Sequence, residues 1–587
     1  MKTIFSKIAK TVAIAAVAVS GLTFTNCTNL DEKAYTFIDP NTFYTTEEDF
    51  DAALNNAYHY FSRVFSDQRG TFFRLNLLTE EMAPNYRKEQ PLLDVTNLWE
   101  EEINNVARTM ANTWSRSYIA INDANIVLGR LEENGGNISD TAKKRLRGQA
   151  LFIRGYSYYM LVRIYGACPI PTTYTQSIEG IEKPRESVDK VWEQIFKDLE
   201  EASTLLPPKG TAGYDVWRVS QGACWAALGD AYLYKATVQS PDGQRGGNTA
   251  ELQKSKEYSK KVIDSGIYDL YSNFTDNFYY FNKNKNGIES VFDLQFMNFD
   301  SQGFGAGVDC GIGGNTSMTD ANGDRYCGTY YNRCGFTEYY YKTFDPSDKR
   351  LDAILTDFYC KVSGNLRHYV YDHDLELFVV DETFGDFDAS KNTNANYPYW
   401  SPESYAYHTL LNAKTIDNET TMAAIRNTQP GCNYTLIRYA DVLLNYAEAA
   451  NLLTAGDGLA ELNKVHTRAG LPALGAMGQD AMDDAIIQEK LWEQGGEAKN
   501  YFTELRKGII GDRVEPYVHQ YHQDYAKNEL VIPGVANSRR QLRFEYEMQF
   551  IPKKSFLWKI PQTDLDGAHG ALEQTPDNAP LRAPKYK

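Results

Sequence analysis

The stretch that decides the fold is Trp225-Ala-Ala-Leu-Gly-Asp-Ala-Tyr232. Its large residues recur at three- and four-residue spacing, which places Trp225, Leu228 and Tyr232 on one face of a helix. The small residue Gly229 lets a second helix approach closely, while the three large side chains fill the space between the two helices. The stretch therefore predicts one half of a packed helix pair.

Residues 225–232 match W-x2-L-G-x2-Y, the pattern of a tetratricopeptide helix. From about Asp49 to Ile267 apolar residues recur at helical spacing, and Gly- and Pro-containing loops such as Pro207-Pro208 separate the runs. Each helix pair can bury its apolar face only against the next pair. We therefore predict a mainly α fold, a tetratricopeptide-type helical-repeat scaffold stacked into a curved right-handed array.

Between about Leu270 and Cys432 clusters of Asn, Gly, Asp and Tyr replace this pattern, with strand-like runs at Ser290–Phe296 and Leu375–Val380. Long loops on a rigid scaffold usually carry function. Helices are predicted again over 439–454, 459–466 and 480–505. We divide the chain into a signal peptide (1–26), an N-terminal helical part (27–269), a loop-rich, ligand-binding insertion (270–432) and a C-terminal part (433–587), with 27–587 forming one compact unit.

The amino terminus predicts export. Lys2, Lys7 and Lys10 precede or flank the start of an apolar run, TVAIAAVAVSGLTF at 11–24, which suits a secretory signal and is too short to span a membrane. Cys27 follows the run, at the place where bacterial lipoproteins are cleaved and acylated. We therefore expect a lipid anchor at Cys27; the alternative is a soluble periplasmic protein that happens to contain this cysteine. No later stretch of the sequence is apolar enough to span a bilayer.

Charge and cysteine usage argue against a nucleic-acid-binding protein and against a fold held together by disulfides. The 587 residues carry a formal net charge of −17 at pH 7, which argues against nucleic acid as a partner because phosphate binding needs clustered Lys and Arg. The cysteines other than Cys27 are odd in number and lack a repeating spacing, so a disulfide framework is not expected. Cys310, Cys327 and Cys334 nevertheless lie close enough along the chain for one local bridge.

Six separate segments carry a more specific resemblance. They are Cys27–Asp31 with Phe43–Asp49, Trp114–Asn125, Arg154–Pro171, Arg185–Leu206, Arg438–Ala449 with Arg468–Pro472, and Leu557–Gln562 with Gln574–Pro576. The third segment is the strongest, a helix that ends in Tyr165-Gly166 and a proline turn. Together they resemble the SusD/RagB-like family of outer-membrane nutrient-binding lipoproteins of Bacteroidetes over nearly the whole mature chain.

The resemblance implies a SusD-like fold, a lipid anchor in the outer membrane, and a cell-surface protein that binds oligosaccharides or polysaccharides and delivers them to a SusC-like TonB-dependent transporter. Two alternatives stay open. The same kind of complex could capture peptides or glycoprotein fragments, or the helical repeats could form a tetratricopeptide scaffold for protein assembly.

One segment departs from the family pattern. Where the family usually has Glu-Gly-x-Arg-Trp-Phe-Asp, this chain reads Glu-Ala-Lys-Asn-Tyr-Phe-Thr over Glu497–Thr503 and so loses the Arg and the Asp. If these two residues form a buried ion pair in the family, replacing both together costs far less than removing one. We therefore expect the fold to be unaffected.

The sequence favours binding over catalysis. It contains no H-E-x-x-H, G-x-S-x-G, P-loop or C-x-x-C motif, so we predict neither an enzyme nor a cofactor. His373, His519 and His522 are too sparse to specify a metal site. Residues 320–324 open like a calcium loop, but Arg325 stands where glycine should make the turn and Tyr331 where glutamate should close it. A structural calcium held by loop carboxylates and carbonyls and a solvated turn both remain open.

A site for oligosaccharides needs aromatic faces against the sugar rings and Asp, Asn or Arg at the hydroxyls. Six tryptophans on or beside predicted helices or in the tail segment are assigned to the core: Trp114, Trp192, Trp217, Trp225, Trp492 and Trp558. Two others stand in polar, irregular stretches and are the candidate stacking platforms. The candidate ligand-binding residues are Trp99, Trp400, Tyr86, Asn85, Arg87, Tyr279, Tyr280 and Asp300. In the alternative interpretation Trp400 packs under Pro398 and Pro402 and the tyrosines cover the scaffold.

Overall fold

The computed structural model describes residues 43–66, 75–84, 108–177, 183–238, 247–278, 286–296, 318–319, 334–362, 365–374, 377–381, 383, 410–415, 433–517 and 557–575. The helices are α1 (Glu47–Ser66), α2 (Arg108–Asn134), α3 (Asp140–Tyr165), α4 (Val188–Leu205), α5 (Gln221–Val238), α6 (Thr249–Asp264), α7 (Glu338–Tyr341), α8 (Tyr439–Leu453), α9 (Leu459–Arg468), α10 (Gln479–Gln494), α11 (Asn500–Lys507) and α12 (Gln562–Gly567). Residues 510–517 are also helical. The strands are β1 (Met82–Pro84), β2 (Ser290–Leu294), β3 (Met318–Thr319), β4 (Cys334–Phe336), β5 (Ile354–Leu355), β6 (Asp357–Val362), β7 (Asn365–Asp372), β8 (Leu377–Val380), β9 (Leu411–Asn412) and β10 (Tyr434–Arg438).

The N-terminal helices form the predicted repeat scaffold. Short polar side chains set their starts: Ser139 accepts a hydrogen bond from the Ala142 amide at the start of α3, and Ser187 accepts one from the Lys190 amide at the start of α4. Each helix from α1 to α6 packs on the next one along the chain, and α6 also packs on α8 of the C-terminal part. This is the stacked, mainly α architecture that the helical periodicity predicts.

The close approach predicted at Gly229 is confirmed. A Cβ atom on this residue would lie 2.5 Å from the Ser259 hydroxyl of α6, so no side chain fits there. The Ser255 hydroxyl donates to the Gly229 carbonyl at 2.7 Å across the same contact. Leu228 and Tyr232 are buried and Trp225 is half-buried beside them. The glycine therefore allows α5 and α6 to pack as one pair.

Two of the strands correspond to the strand-like runs of the sequence, β2 at Ser290–Leu294 and β8 at Leu377–Val380. β8 belongs to a four-stranded sheet with the order β3-β6-β7-β8, while β1 pairs with β4 and β5 with β9. β2 pairs antiparallel with β10, and Leu294 lies opposite Tyr434. The start of the predicted insertion is thus bonded directly to the strand that leads into α8.

The helical region predicted at 480–505 is interrupted. α10 ends at Gln494 and α11 begins at Asn500. Between them Gly496 has a φ of +72°, and a Cβ there would lie 2.3 Å from the Asn412 amide nitrogen and 2.9 Å from the Phe336 ring. Ala498 also has a positive φ, +60°, a conformation that costs an L-residue with a Cβ about 1–2 kcal/mol. The close approach of β4 and β9 explains the break.

One hydrophobic core extends from Phe50 on α1 to Ile560 and Leu572 near the end of the described chain. Of the six tryptophans assigned to it, Trp114, Trp192 and Trp558 are buried and two are half-buried, Trp225 and Trp492. Trp217, however, is 56% exposed, so its assignment to the core is wrong. It lies in the loop before α5, which the helical pattern does not reach.

Cys168 and Cys224 are buried free thiols. Among the described residues, no helix combines the length and the apolar composition that crossing a membrane requires.

Candidate functional site

The predicted ligand residues Asn85, Tyr86, Arg87, Trp99, Tyr279, Tyr280, Asp300 and Trp400 lie outside the described residues. Cys27, Cys310, Cys327, His519, His522 and the 320–325 loop do as well. These assignments stay predictions. Within the described part of the chain, the chemical requirement for a sugar site, an exposed aromatic ring beside polar groups, is met by a groove around Trp217.

This groove, which we call the Trp217 groove, has a volume of about 320 Å³ and lies between α1, β2 and the loop before α5. Its α1 wall consists of Asn55, Tyr58, His59, Ser62 and Arg63. Asp215, Trp217 and Arg218 form the opposite wall, and residues 292–296 also line it. Phe292, Leu294 and Phe296 are themselves buried, so they connect the groove to the hydrophobic core.

The Trp217 loop is held in place by its own polar contacts. The Asp215 carboxylate accepts a hydrogen bond from the Trp217 amide at 3.0 Å, and the Asp215 carbonyl accepts one from the Arg218 amide at 2.9 Å, which together form a tight Asx-type turn. Earlier in the loop, the Lys209 ammonium donates to the carbonyls of Gly287 and Ser290 at 2.8 and 2.7 Å. The backbone is thus fixed while the Trp217 indole stays open to solvent.

Arg218 links the loop to α1. Its guanidinium donates to the Asn55 side-chain oxygen and lies 4.8 Å above the Tyr58 ring. The Tyr58 hydroxyl accepts from the Val219 amide at 3.2 Å and donates to Gln149 at 3.0 Å. Burial raises the pKa of Tyr58 well above its usual value, so this hydroxyl stays protonated. The polar rim beside the indole is therefore organised before any ligand arrives.

Of two further α1 residues in the groove, one carries a positive charge and the other is a neutral imidazole. Among the described residues, the Arg63 guanidinium has no hydrogen-bond or ion-pair partner. His59 lies one turn away on the same helix, and its pKa is lowered by burial and by the positive charges of Arg63 and Arg116. An imidazole in this environment is neutral at pH 7.

The carboxylates of the groove are already engaged. One Asp293 oxygen accepts from the Ser290 hydroxyl at 2.6 Å, and the other accepts from the Asn286 amide at 3.0 Å. Asp215 holds the Trp217 turn. No group of three or more His, Cys, Asp or Glu side chains within the described residues is placed to hold a metal ion. The geometry suits stacking on a ring and hydrogen bonding to its substituents.

A network of buried ion pairs, here called the Arg438 network, includes Glu289 just before β2, the strand that lines the groove. Arg438 is 1% exposed and donates to Glu289, Glu493 and Glu497, each at 2.8 Å. Arg468 bonds to Glu289 at 3.0 Å and also pairs with Glu493. Burial raises the pKa of Glu497, but the charges of Arg438 and Lys414 outweigh it and hold the pKa well below its usual value.

The Arg438 network has a structural role. Glu289 immediately precedes β2, so the network fixes this strand against the C-terminal helices. Arg438 and Arg468 both belong to the segment quoted above for the family resemblance. The motif thus indicates the support beneath the groove and not the groove itself.

Sequence reasoning missed Trp217, although a signal was present. Ser220 accepts a hydrogen bond from the Ala223 amide at 3.3 Å and marks the start of α5. Trp217 therefore lies before the helix, after a stretch with Gly210 and Gly213 at positive φ. What the sequence could not indicate is that α1, more than 150 residues earlier in the chain, supplies the other wall.

Comparison with known proteins identifies relatives over most of the chain. A family model described as "Starch-binding associating with outer membrane" matches residues 29–233, and the model of the SusD family matches 288–577. A SusD-like protein of Bacteroides ovatus is 23% identical over 500 residues, 83% of this chain and 81% of that protein.

Solved structures share the fold. A SusD homolog from Bacteroides thetaiotaomicron aligns with a TM-score of 0.69 at 20% identity, over 93% of this chain and 99% of that one. Surface glycan-binding protein A from the same species, in complex with laminarihexaose, aligns with a TM-score of 0.62 at 17% identity, over 90% of this chain and all of that one (100%).

Proposed function

The chain belongs to the SusD family, and from this premise we propose that it is a lipoprotein of the outer cell surface that binds oligosaccharides or polysaccharides. We propose further that it delivers them to a SusC-like TonB-dependent transporter, with the lipid on Cys27 as its membrane anchor. Binding rather than catalysis is the role that its groove chemistry suits.

The observation that carries the proposal is the Trp217 groove on a scaffold of this family. A 56% exposed indole gives a sugar ring a flat apolar face, and Arg218, Asn55 and Ser62 provide hydrogen-bonding groups around it. A family relative with the same fold was solved with laminarihexaose, which supports a glycan as the ligand class. The predicted residues Trp99, Trp400, Tyr86 and Asp300 would extend this site.

The test is Trp217→Ala measured by calorimetry against a panel of oligosaccharides and a panel of peptides. Loss of a stacking ring should lower glycan affinity about tenfold to hundredfold, the equivalent of about 1–3 kcal/mol. Val216→Ala is the matched control, because Val216 is the exposed neighbour at 40% and should leave binding unchanged. Wild-type protein that binds peptides but no glycan would overturn the glycan assignment in favour of peptide capture.

Delivery is tested separately in cells. Cross-linking followed by purification in mild detergent should recover an outer-membrane transporter with the chain. Recovery of the chain alone at native expression would contradict delivery, while leaving glycan capture to stand on its affinity measurements.

A further inference from the structure

The Trp217 groove contains an arginine, Arg63, that no acidic side chain of the described residues pairs with. Arginines on the neighbouring helix α3 are paired with acids: Arg145 with Glu47 and Asp51, and Arg154 with Asp198. Arg63 lines the groove without such a partner among the described residues. In a chain with a formal net charge of −17, an uncompensated arginine inside a groove is a specific local feature.

The two acids that line the groove, Asp215 and Asp293, make other contacts. Asp215 holds the Trp217 turn and lies 3.8 Å from Arg218. Asp293 accepts from Ser290 and the Asn286 amide, and its second oxygen also accepts from Asn433 at 3.3 Å. Redirecting either carboxylate to Arg63 would break the contacts that shape the groove wall or the β2 strand.

A second arginine lines the groove, and a third contacts the Arg63 backbone. Arg218 lies on the opposite wall, and Arg116 on α2 donates to the Arg63 carbonyl at 3.0 Å. His59 is the titratable group between them on α1, and its lowered pKa reflects, after burial, the charges of Arg63 and Arg116. A neutral sugar would leave this charge uncompensated, whereas a carboxylate or sulfate would pair with it.

On the premise that the groove binds a glycan, we propose that it selects acidic glycans, with the Arg63 guanidinium binding a carboxylate or sulfate group and Trp217 stacking on the sugar ring beside it. The fork geometry of arginine matches both anionic groups. Arg63 also lies in the last turn of α1, where a cation is favoured by the helix dipole. If Arg63 acted only on the helix dipole, replacing it would change the stability of the fold slightly and would not alter the preference between acidic and neutral ligands.

The experiment compares ligands that differ only in charge. The probes are oligogalacturonates with their methyl esters, and sulfated galactan oligosaccharides with their desulfated forms. Wild-type protein should bind the acidic member of at least one pair at least tenfold more tightly, and this preference should weaken as NaCl is raised. The pair that shows the preference identifies whether a carboxylate or a sulfate is recognised.

Arg63→Gln should reduce that preference to about onefold and leave affinity for the neutral member unchanged. Arg63→Lys should keep part of it. Arg130→Gln is the matched control, since it removes the same charge from a half-buried arginine that pairs with Glu133 on α2 and does not line the groove, and it should keep the full preference. Binding of the acidic ligand should also raise the pKa of His59, followed by NMR, in the wild type and not in Arg63→Gln.

Two outcomes would overturn the proposal. If wild-type protein binds both members of every pair equally, or if Arg63→Gln keeps the preference, the groove does not select acidic glycans, although Trp217-dependent glycan binding would still support the proposed function. If no glycan of any charge binds, the proposed function fails and this inference fails with it.

Discussion

Arg438 and Arg63 show two opposite ways of placing a guanidinium in the same protein. Arg438 is 1% exposed and bonds to three glutamates, Glu289, Glu493 and Glu497. Arg63 lines an open groove and has no hydrogen-bond or ion-pair partner among the described residues. A buried charge must be paired because its desolvation is expensive, whereas a charge at the solvent boundary can stay available to a ligand.

The difference separates support from recognition. The Arg438 network joins β2 to the C-terminal helices through buried ion pairs. The Trp217 groove, which residues 292–296 help to line, has an exposed indole and a guanidinium without a partner among the described residues. Removing an arginine should therefore affect folding in the first region and binding in the second.

The largest difference in stability is expected between variants of these two arginines. Arg438→Met leaves three buried glutamates without their main partner and should lower the free energy of unfolding by about 3–5 kcal/mol. Arg63→Met should change it by less than about 0.5 kcal/mol. Urea unfolding followed by fluorescence measures both values. Equal effects of the two substitutions would show that the regions do not differ as described.

A second prediction uses pH to compare the Arg438 network with the neighbouring buried acid Glu81. Burial and the adjacent Glu80 raise the pKa of Glu81 to about 8, although Asn500 donates to it at 2.6 Å. Because the folded state holds this proton more tightly than the unfolded state, stability should fall as pH rises from about 4.5 to about 8, by at most about 1.4 kcal/mol per pH unit for this group. Glu497, with a lowered pKa, contributes in the opposite direction, and its share is lost in acid.

The wild type should therefore lose stability relative to Glu81→Gln as pH rises, because glutamine has no proton to lose. The change in the free energy of unfolding that separates the two proteins should be smallest near pH 5 and grow toward pH 8. Urea midpoints at pH 5, 6.5 and 8 provide the measurement. Glu48→Gln, at an exposed position in the first turn of α1, is the control and should run parallel to the wild type. Parallel curves for Glu81→Gln as well would show that Glu81 does not retain its proton in the fold.

The smallest effect concerns the backbone of the Arg438 network. Ala498, between Glu497 and Lys499, has a φ of +60° where the family pattern has glycine. Ala498→Gly should relieve this strain and stabilise the fold by at most about 1 kcal/mol, because the glycine loses more entropy on folding. Gly496→Ala should have the opposite sign, since its Cβ would meet Asn412. Thermal unfolding of both variants checks the pair; destabilisation by Ala498→Gly would exclude strain at this position.

The helical scaffold can be predicted from the amino-acid sequence alone. Helical spacing and the Gly229 motif predicted the packed helices α5 and α6, and the segments at Arg154–Pro171 and Arg438–Ala449 indicated the family. These features are local, because periodicity, small residues and caps act within one or two turns of the chain. The helix predicted over 480–505 is nevertheless interrupted at Gly495–Gly496. The helical pattern does not show this break, since it depends on β4 and β9 lying against the glycines.

Which polar and aromatic residues are available to a ligand follows from the three-dimensional packing of distant segments. The sequence places Trp217 beside a predicted helix and so assigns it to the core, and Arg63 is indistinguishable by sequence from the paired Arg145. Their roles depend on α1, β2 and the loop before α5 meeting in space, although α1 and that loop are more than 150 residues apart along the chain. Exposure and pairing are properties of such long-range contacts, and no pattern within a single segment encodes them.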